Sequence, residues 1–364
     1  MRRRPRRSRP PILRVGAVAA TAVLLVSALV ACSGPGGGKI RVALILKEFT
    51  NPYWISMESA ARAEAAKQGM YLQVSAGQTD DDTASQINEV DEAIAEGVKG
   101  IIIALNGDAV DNALDQAKQY GITVIALDTA PVPPSTADVT YATDNRQAGT
   151  LIGKWMATKL AGKPADIAML DDLGDQVITV DVDRDHGFLD GMGIPVGNQH
   201  INGQEPKSGT YRGGKGGSYK IACQLPTEGA QTGGQSAMET CLSKDSGINV
   251  VYAINEPSAE GAAMALKAAG KKGVTIVTVD GGCANLPFLR NGEIAATAGQ
   301  FPDKMARLGV DAVATFAKTG RRPRNQPGKD YFNTGTKLYT ADPQHGVPSV
   351  NTKTAARLCW GGKS

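Results

Sequence analysis

The sequence predicts an α/β fold made of two successive units, each a parallel sheet with helices on both faces. Three observations support this prediction. Short apolar, β-branched runs alternate with stretches of helical period. The runs are continuously apolar, which is typical of strands buried on both faces. The same rhythm restarts in the second half of the 364-residue chain, whose length and 42% hydrophobic content favour two domains.

The first unit contains five predicted strands. They are Ile40–Leu46, Tyr71–Ala76, Gly100–Leu105, Thr123–Asp128 and Val139–Thr143. Apolar residues at helical spacing form one face in each of three predicted helices. These faces are Ile87/Val90/Ile94/Val98, Val110/Ala113/Leu114/Ala117 and Ala148/Leu151/Ile152/Trp155. Strands separated by helices in this way are expected to pair in parallel.

The second unit repeats the pattern with five more strands. They are Ala165–Leu170, Tyr219–Leu225, Val250–Asn255, Val274–Asp280 and Ala295–Gln300. Its first helix is predicted from about Val180 to Met192. The segment Gly193–Ser218 has no periodic pattern and is predicted to be a long surface loop. Its Arg212–Ser218 run is not a phosphate-binding loop, because the glycine spacing differs and no strand and helix flank it.

Basic residues are concentrated at the N-terminus of the chain. Seven arginines lie in the first fourteen residues, where there is no acidic residue. Without residues 1–31, 32 Lys and Arg face 36 Asp and Glu, a net charge of about −4. We therefore expect a mildly acidic mature protein with no nucleic-acid partner.

Other function classes lack their sequence signals. The first strand runs into Lys47–Pro52 without a G-x-G-x-x-G turn, which disfavours an NAD-dependent enzyme. There is no C-x-x-C motif and the three histidines, His186, His200 and His345, are scattered, so we expect no metal site. A transcription regulator would need a helix-turn-helix segment where this chain has an apolar leader. We expect a binding protein that has no catalytic activity and no cofactor.

A lipoprotein signal peptide is predicted at residues 1–31. An arginine-rich stretch precedes the apolar run Val15–Ala31, and small residues stand directly before Cys32. A membrane-spanning helix is the alternative, but the run is short against the roughly 20 residues that a bilayer core requires. We expect Cys32 to be lipidated and the protein to be anchored outside the cell membrane by a flexible linker, residues 32–38.

Four further cysteines remain, an even number for an oxidising compartment. Three pairings are possible. We favour Cys223–Cys241, whose members lie close in sequence, and Cys283–Cys359, which would tie the C-terminal tail to the body. Closure of the shorter loop would stabilise the fold by about 3 kcal/mol in the chain-entropy model.

Polar and aromatic residues cluster at the carboxyl ends of the predicted strands, where open parallel sheets bind ligands. The set consists of Asn51, Tyr53, Trp54, Asn106, Asp108, Asp128, Asp144, Asn145, Asp171, Asp172, Asn255, Asp280 and Gln300. Carboxylates and amides bind several hydroxyl groups at once, and aromatic rings cover the C–H face of a sugar. The combination predicts a polyhydroxylated ligand. Taken singly, Asn51, Asp108 and Asp144 are equally good helix N-caps, and Tyr53 and Trp54 are common in cores.

Seven short motifs occur in an order that resembles the ribose-binding-protein-type, or type I, family of periplasmic sugar-binding proteins. They are Asn51-Pro52-Tyr53-Trp54, Leu127-Asp128, Thr143-Asp144-Asn145, His186-Gly187-Phe188, Asn255-Glu256-Pro257, Val279-Asp280-Gly281 and Gln300-Phe301-Pro302. The likeness spans nearly all of residues 39–335. Ile254-Asn255-Glu256-Pro257, Asp280-Gly281-Gly282-Cys283 and Leu358-Cys359-Trp360-Gly361 resemble the branch that includes fructose-binding transport proteins.

The resemblance implies two Rossmann-like lobes, joined by three crossovers, that close over a monosaccharide. The N-terminal lobe would comprise residues 39–143 plus 301–335, and the C-terminal lobe residues 144–300 plus 336–364. The resemblance also implies an ABC transporter as partner, with a membrane permease and a cytoplasmic ATPase. We expect a monomer.

The same resemblance implies the site residues. Sugar contacts of the family match Asn51, Tyr53, Trp54 and Asp128 in the first lobe, and Asn255, Asp280 and Gln300 in the second lobe and hinge. Asp144 and Asn145 match the first crossover, where a hinge role is implied.

Three departures from the ribose binders bear on the ligand. This chain has Thr129 where they carry an Arg, and Ala104 where they carry an Asn, with Asn106 two residues on. Their second-lobe Arg falls on Val182, unless a shift of two residues brings Arg184 into the pocket. We include Asn106, Thr129 and Arg184 with the seven residues above, which gives ten predicted ligand contacts. Each lost charged donor is worth about 1.5–3 kcal/mol. We therefore expect a fructose-like ketose, another hexose or a sugar alcohol rather than ribose. The alternative is a non-sugar ligand, such as a nucleoside or a signalling furanose, bound by a protein that feeds a sensor.

Overall fold

The computed structural model describes residues 39–174 and 176–362. The predicted signal peptide, the lipidation site Cys32 and the linker lie outside this range. The strands in chain order are β1 (Arg41–Leu46), β2 (Tyr71–Ala76), β3 (Gly100–Ile103), β4 (Thr123–Leu127), β5 (Val139–Ala142), β6 (Ala165–Asp171), β7 (Ser208–Tyr211), β8 (Gly217–Pro226), β9 (Val250–Ala253), β10 (Thr275–Asp280), β11 (Ala296–Gly299), β12 (Phe332–Asn333) and β13 (Lys337–Thr340).

Helices connect most of these strands. They are α1 (Pro52–Lys67), α2 (Thr83–Ala95), α3 (Asp111–Gln119), α4 (Asn145–Leu160), α5 (Thr179–Met192), α6 (Gln231–Lys244), α7 (Glu256–Ala268), α8 (Leu286–Asn291), α9 (Pro302–Thr319) and α10 (Thr352–Ala355). In the described part of the chain, none of them is long and apolar enough to cross a membrane.

The strands form two sheets, one in each lobe. The first has the order β12-β5-β4-β3-β1-β2, and every pairing in it is parallel. The second has the order β13-β11-β10-β9-β6-β8-β7, with parallel pairing in the middle and an antiparallel strand at each edge. The chain passes between the sheets three times, after β5, β11 and β12. The predicted class of two α/β lobes with three crossovers is confirmed.

Both faces of each sheet are buried at the centre. In β1, Val42 and Leu44 belong to one apolar cluster and Ala43 and Ile45 to another. In β6, alternate residues likewise divide between two clusters on opposite faces. Side chains alternate along a strand, so this division places helices on both faces, as the continuously apolar runs predict.

The second unit contains structure that the sequence did not predict. The segment Gly193–Ser218 is not only a loop, because β7 lies within it and pairs with β8, which begins at Gly217. Three of the four β7 residues are exposed, so the strand has no apolar run to reveal it. The edge strands β12 and β13 were missed because they are short: β12 has two residues, and β13 has four, of which three are buried.

Several predicted boundaries were one or two residues too long. Leu105, Asp128, Asn255 and Gln300 lie just beyond the ends of their strands, where the chain turns toward the cleft. Asp128 has a φ of 63°, which a strand residue does not adopt. The edge strand β2 is only partly buried, although its apolar run predicted burial on both faces. Two predicted helical faces also extended beyond their helices: Val98 follows the end of α2, and Val110 lies in a 3₁₀ turn before α3.

Two disulfides are present, with the favoured pairing. Cys223–Cys241 joins β8 to α6, with 5.6 Å between the Cα atoms. Cys283–Cys359 holds the C-terminal segment, with a Cα–Cα distance of 5.0 Å. The backbone N–H of Cys283 also donates to the carbonyl oxygen of Trp360 at 3.0 Å. The tail is therefore attached to the C-terminal lobe beside the end of β10.

Candidate ligand-binding site

A small cavity, here called the inner cavity, lies between the lobes at the carboxyl ends of the strands. Water centres can occupy about 20 Å³ of it, which is room for one or two water molecules, so the walls must lie further apart when a sugar is bound. It is lined by Lys47, Asn51, Tyr53, Trp54, Asp80, Asp128, Asp172, Val180, Arg184, Ile254, Asn255, Asp280 and Gln300. Eight of the ten residues predicted to contact ligand are in this set.

The N-terminal wall of the inner cavity begins with the first turn of α1. Asn51 caps this helix, because its Oδ1 accepts a hydrogen bond from the backbone N–H of Tyr53 at 2.9 Å, and Pro52 occupies the first helical position. The cap directs Tyr53 and Trp54 into the cleft, where both are buried. Asn51 therefore both caps α1 and lines the inner cavity.

Asp128 stands at the end of β4. One carboxylate oxygen accepts from the Tyr53 hydroxyl at 2.9 Å, and the other accepts from the Thr129 hydroxyl at 3.2 Å. Burial, with the neighbouring charge of Asp128, raises the pKa of Tyr53 well above its ordinary value, so the hydroxyl remains a donor. Thr129 contacts Asp128 and is not among the described residues that line the inner cavity. In this structure Thr129 supports Asp128, and its predicted ligand contact stays a prediction.

The C-terminal wall is built around Asp280, at the end of β10. Its Oδ1 accepts from Gln300 Nε2 at 2.9 Å, and its Oδ2 accepts from the backbone N–H of Glu256 at 3.2 Å. Asn255 caps α7 through its Oδ1, while its Nδ2 donates to the carbonyl oxygen of Gly229 at 2.8 Å. The second wall therefore presents a carboxylate and two amides.

Arg184 stands between the two lobes. Its Nε donates to Asn145 Oδ1 at 2.8 Å, and its Nη1 donates to the carbonyl oxygen of Ile254 at 3.1 Å. The other contacts are longer: Nη2 lies 3.8 Å from Asp128 Oδ1, and Nη1 lies 4.0 Å from Asp280 Oδ1. These are ion pairs beyond hydrogen-bond distance. One guanidinium therefore faces an aspartate of each lobe.

The structure also decides which residue takes the place of the second-lobe Arg. Arg184 lines the inner cavity, whereas Val182 is not among its described lining residues. Asn145, predicted for the hinge, orients Arg184 from the start of α4. Asp144 caps α4 by accepting from the backbone N–H of Gln147 at 3.0 Å, and its Oδ2 lies 3.2 Å from Lys329 Nζ.

Lys47 is the main site residue that sequence reasoning missed. It directly follows β1 and is 1% exposed. Its Nζ lies 3.7 Å from Asp80 Oδ2 of the N-terminal lobe and 3.7 Å from Asp172 Oδ2 of the C-terminal lobe. A lysine directly after a continuously apolar strand was the available signal. Lys47 and Arg184 each connect carboxylates of opposite lobes.

Asn106 does not line the inner cavity in the described structure. Its Nδ2 donates to the carbonyl oxygens of Thr79 and Asp82 at 2.8 and 3.2 Å, and its backbone N–H donates to Gln86 Oε1 at 2.9 Å. The amide supports the loop before α2. The amide nitrogen thus has a structural role, whereas Oδ1 has no hydrogen-bond partner in the described residues, and the ligand contact stays a prediction.

Four buried polar atoms around the inner cavity have no hydrogen-bond partner among residues 39–174 and 176–362. They are Trp54 Nε1, Asp80 Oδ1, Asp172 Oδ1 and Gln300 Oε1. An unsatisfied buried polar group costs about 1–3 kcal/mol. A ligand with several hydroxyl groups can supply both donors and acceptors to this set. Within the same described residues, no group of acids, histidines or cysteines is arranged to hold a metal ion.

The lobes are in contact around the cavity, so the structure is a closed form. Thr179 Oγ1 donates to the carbonyl oxygen of Ala130 at 3.0 Å, and Gln176 Nε2 donates to the carbonyl oxygen of Asp81 at 3.3 Å. The Tyr53 ring of the first lobe meets the Trp360 ring of the C-terminal segment edge-on, with centroids 5.5 Å apart.

Gly229 lies close to the opposite lobe in this contact, which gives a first prediction. It has a φ of +60°, and an added Cβ would lie 2.8 Å from Asp80 Oδ2 in the opposite lobe. Gly229→Ala should therefore hinder closure and weaken ligand affinity by about tenfold or more in calorimetric titration. Gly270→Ala is the control, because Gly270 has a φ of +61° and no described atom within 4 Å of an added Cβ. Equal affinities of the two variants would contradict the prediction.

A second prediction concerns pH. Burial raises the pKa of Asp280 from 3.8 to about 7, although Arg184 acts in the opposite direction. Between these two values the folded protein binds more protons than the unfolded chain, so stability falls as pH rises. Asp171 shifts in the same direction, to about 6. The melting temperature of the ligand-free protein should fall between about pH 4 and pH 7, and less steeply in Asp280→Asn. A wild-type melting temperature that is constant or rises over this range would refute it.

The fold and the site define a two-lobed solute-binding protein of the type I class. The family profile described as "Periplasmic binding protein domain" matches residues 42–321, and the chain belongs to this family. Among curated relatives, the ribose import binding protein RbsB of Salmonella typhimurium is 28% identical over 300 residues, which cover 82% of this chain and 92% of the relative. The galactofuranose-binding protein YtfQ of Escherichia coli is 30% identical over 280 residues, covering 74% and 80%.

Solved structures share the fold. A crystal structure described as that of a galactofuranose binding protein has a TM-score of 0.72 and 24% identity, covering 87% of this chain and 97% of that one. The binding protein of an arabinose ABC transporter from Shewanella sp. ANA-3, solved with L-arabinofuranose, has a TM-score of 0.68 and 25% identity, covering 87% and 94%.

Proposed function

We propose that this protein is an extracytoplasmic solute-binding lipoprotein that captures a monosaccharide and delivers it to the permease of an ABC transporter. The observation that carries the proposal is the inner cavity, where Asp128 and Asp280 of opposite lobes face one Arg184. Charged groups of both signs and unpartnered polar atoms are enclosed together, which suits a ligand with many hydroxyl groups. The relatives named for ribose import and galactofuranose binding give independent support.

Capture would proceed by lobe closure. The open form would present the wall of Asn51, Tyr53, Trp54 and Asp128, and closure would bring Asn255, Asp280 and Gln300 onto the other edge of the sugar. We assign the moving lobes to residues 39–143 plus 301–335 and 144–300 plus 336–364, with Asp144 and Asn145 at the hinge. The open-to-closed equilibrium scales the measured affinity, so hinge substitutions can alter it without a contact to ligand.

The ligand we favour is a fructose-like ketose, another hexose or a sugar alcohol rather than ribose. Thr129 supplies no charge in place of an Arg, and its hydroxyl donates to Asp128. Lys47 introduces a positive charge at a different edge of the cavity. Because its charges lie at other positions than in the ribose binders, this site would bind a sugar with a different arrangement of hydroxyl groups.

A thermal-shift panel tests the proposal. The purified chain, stripped of bound ligand, is screened with monosaccharides, sugar alcohols, nucleosides and amino acids. A ligand at about 100 times its Kd stabilises the folded state by about 2.7 kcal/mol, a readily measured shift. Stabilisation by fructose or a close relative supports the proposal, and ribose as the best ligand would overturn the substrate preference. A response to nucleosides alone would favour the alternative of a ligand-sensing protein that feeds a sensor.

The membrane anchor has its own test. If Cys32 is lipidated, Cys32→Ser should move the protein from the membrane fraction to the soluble extracytoplasmic fraction. Wild-type protein that is already soluble would contradict the anchor. We also expect the lipidated protein to act as a monomer.

A further inference from the structure

A second and larger cavity, here called the outer chamber, adjoins the inner cavity. Its volume is about 520 Å³, within the usual range for small-molecule sites. Asn51 and Asp80 line both spaces, so the two are neighbours. Both lobes contribute to the outer chamber, with Glu48 and Asp80 on one side and Glu260 and Asn285 on the other.

The outer chamber is strongly acidic. Its described lining includes five carboxylic acids and no Lys, Arg or His; the acids are Glu48, Asp80, Glu228, Glu256 and Glu260. Three of them already have donors, including Glu260, whose Oε2 accepts from Gln231 Nε2 at 3.0 Å. Glu48 accepts from the backbone N–H groups of Thr50 and Asn51, and Glu256 accepts from those of Gly281 and Gly282 and from Asn285 Nδ2.

Two acceptors in the outer chamber remain free. Asp80 Oδ1 and Asn285 Oδ1 are buried in residues that are each 6% exposed, and neither has a hydrogen-bond partner in the described parts of the chain. Asn285 is neutral and its Nδ2 already donates to Glu256, so its unpartnered oxygen is an acceptor that carries no charge. Burial raises the pKa of Asp80 to about 8, although Lys47 acts in the opposite direction, and burial also raises the pKa of Glu260. A cation placed beside these groups would favour their charged forms.

An aromatic ring completes the outer chamber. Trp360 lines it and is 8% exposed. Its Nε1 donates to the carbonyl oxygen of Asp280 at 2.8 Å, and the adjacent Cys359 forms the disulfide with Cys283. Indole faces attract cations more strongly than other aromatic side chains do. The ring is thus held at the boundary between the two cavities.

We propose that the natural ligand is an amino-substituted sugar, whose hydroxylated ring occupies the inner cavity and whose protonated amine occupies the outer chamber. This inference rests on the proposed function and narrows its substrate class. An ammonium group has three donors and no acceptor. It therefore matches free acceptors and negative charge, whereas a neutral hydroxyl would leave the charge uncompensated.

Calorimetric titration of the full chain, purified in detergent, tests the inference with matched compounds. The pairs are glucose with glucosamine, galactose with galactosamine, and fructose with 1-amino-1-deoxyfructose, each at about pH 6.5, where the amines are protonated. At least one amine should bind about tenfold or more tightly than its parent sugar. Its N-acetyl derivative, which has no charge, should lose that advantage.

A matched pair of variants tests whether the outer chamber causes the preference for the amine over its parent sugar. Glu260→Gln removes a charge from its lining and should reduce the amine-to-parent affinity ratio by about threefold or more. Glu239→Gln, on the exposed side of α6, should leave the ratio unchanged. Parent sugars that bind as tightly as every amine would overturn the inference and leave the proposed function standing. No binding by any sugar or amino sugar would overturn both.

Discussion

Replacing Arg184 with Met should weaken ligand binding by about 150- to 5,000-fold, the largest effect we expect from a single substitution. Arg184 is the guanidinium that faces both Asp128 and Asp280 in the closed form. Without it, two buried carboxyl groups of opposite lobes approach one another with no cation between them. Removing one partner of a buried charge network costs about 3–5 kcal/mol, which corresponds to this loss.

Controls separate this effect from a general loss of structure. Arg146→Met removes an arginine from the nearby α4, where it pairs with Asp190 at the surface, and should retain wild-type affinity. Arg184→Lys keeps the charge but not the planar fork, so its affinity should fall between those of wild type and Arg184→Met. The measurement is calorimetric titration with the best ligand of the panel. Binding by Arg184→Met within about threefold of wild type would exclude a central role for Arg184.

Asp280→Ala should weaken binding by about 2–3 kcal/mol, or about 30- to 150-fold. The substitution removes a charged acceptor from the cleft. It also leaves Gln300 Nε2 and the backbone N–H of Glu256 without their acceptor. The same titration measures the effect. Asp303→Ala, which removes an exposed partner of Arg307 on α9, is the control. If the two variants bind equally well, Asp280 is not a ligand contact.

The layered fold was predictable because a strand that is buried on both faces has a continuous run of apolar residues. A strand such as β1, with apolar clusters on both faces, must be apolar at every position. Edge strands have no such requirement. The four residues of β7 are mostly exposed, and backbone pairing with β8 alone defines them as a strand.

The site was predictable where one residue has both a local and a functional role. Asn51 and Asn255 cap helices at the cleft, so the capping signal also locates the site. Arg184 was ambiguous, because its contact with Asp128 depends on how the lobes meet rather than on local spacing. Asn106 lies after a strand, as predicted for a site residue, but its amide nitrogen donates to the carbonyl oxygen of Thr79 in a neighbouring loop.

The partners of Lys47 and of Trp360 could not be identified from local sequence patterns, although the position of Lys47 after β1 and the predicted Cys283–Cys359 disulfide were signals for the residues themselves. Lys47 is a single charged residue at a strand end, and its carboxylate partners come from two different lobes. Trp360 reaches Tyr53 because the Cys283–Cys359 disulfide and hydrogen bonds to Cys283 and Asp280 hold the C-terminal segment beside β10. Both contacts arise from long-range assembly, which no local pattern encodes.

The central claim is that one sugar binds between the two lobes and contacts both of them. A crystal structure of the protein with its best ligand from the panel tests it most directly. We predict one sugar in the inner cavity. Its hydroxyl groups should lie within hydrogen-bond distance of Asp128 in one lobe and of Asp280 or Arg184 in the other. A ligand held by one lobe alone, or bound away from Arg184, would contradict the account.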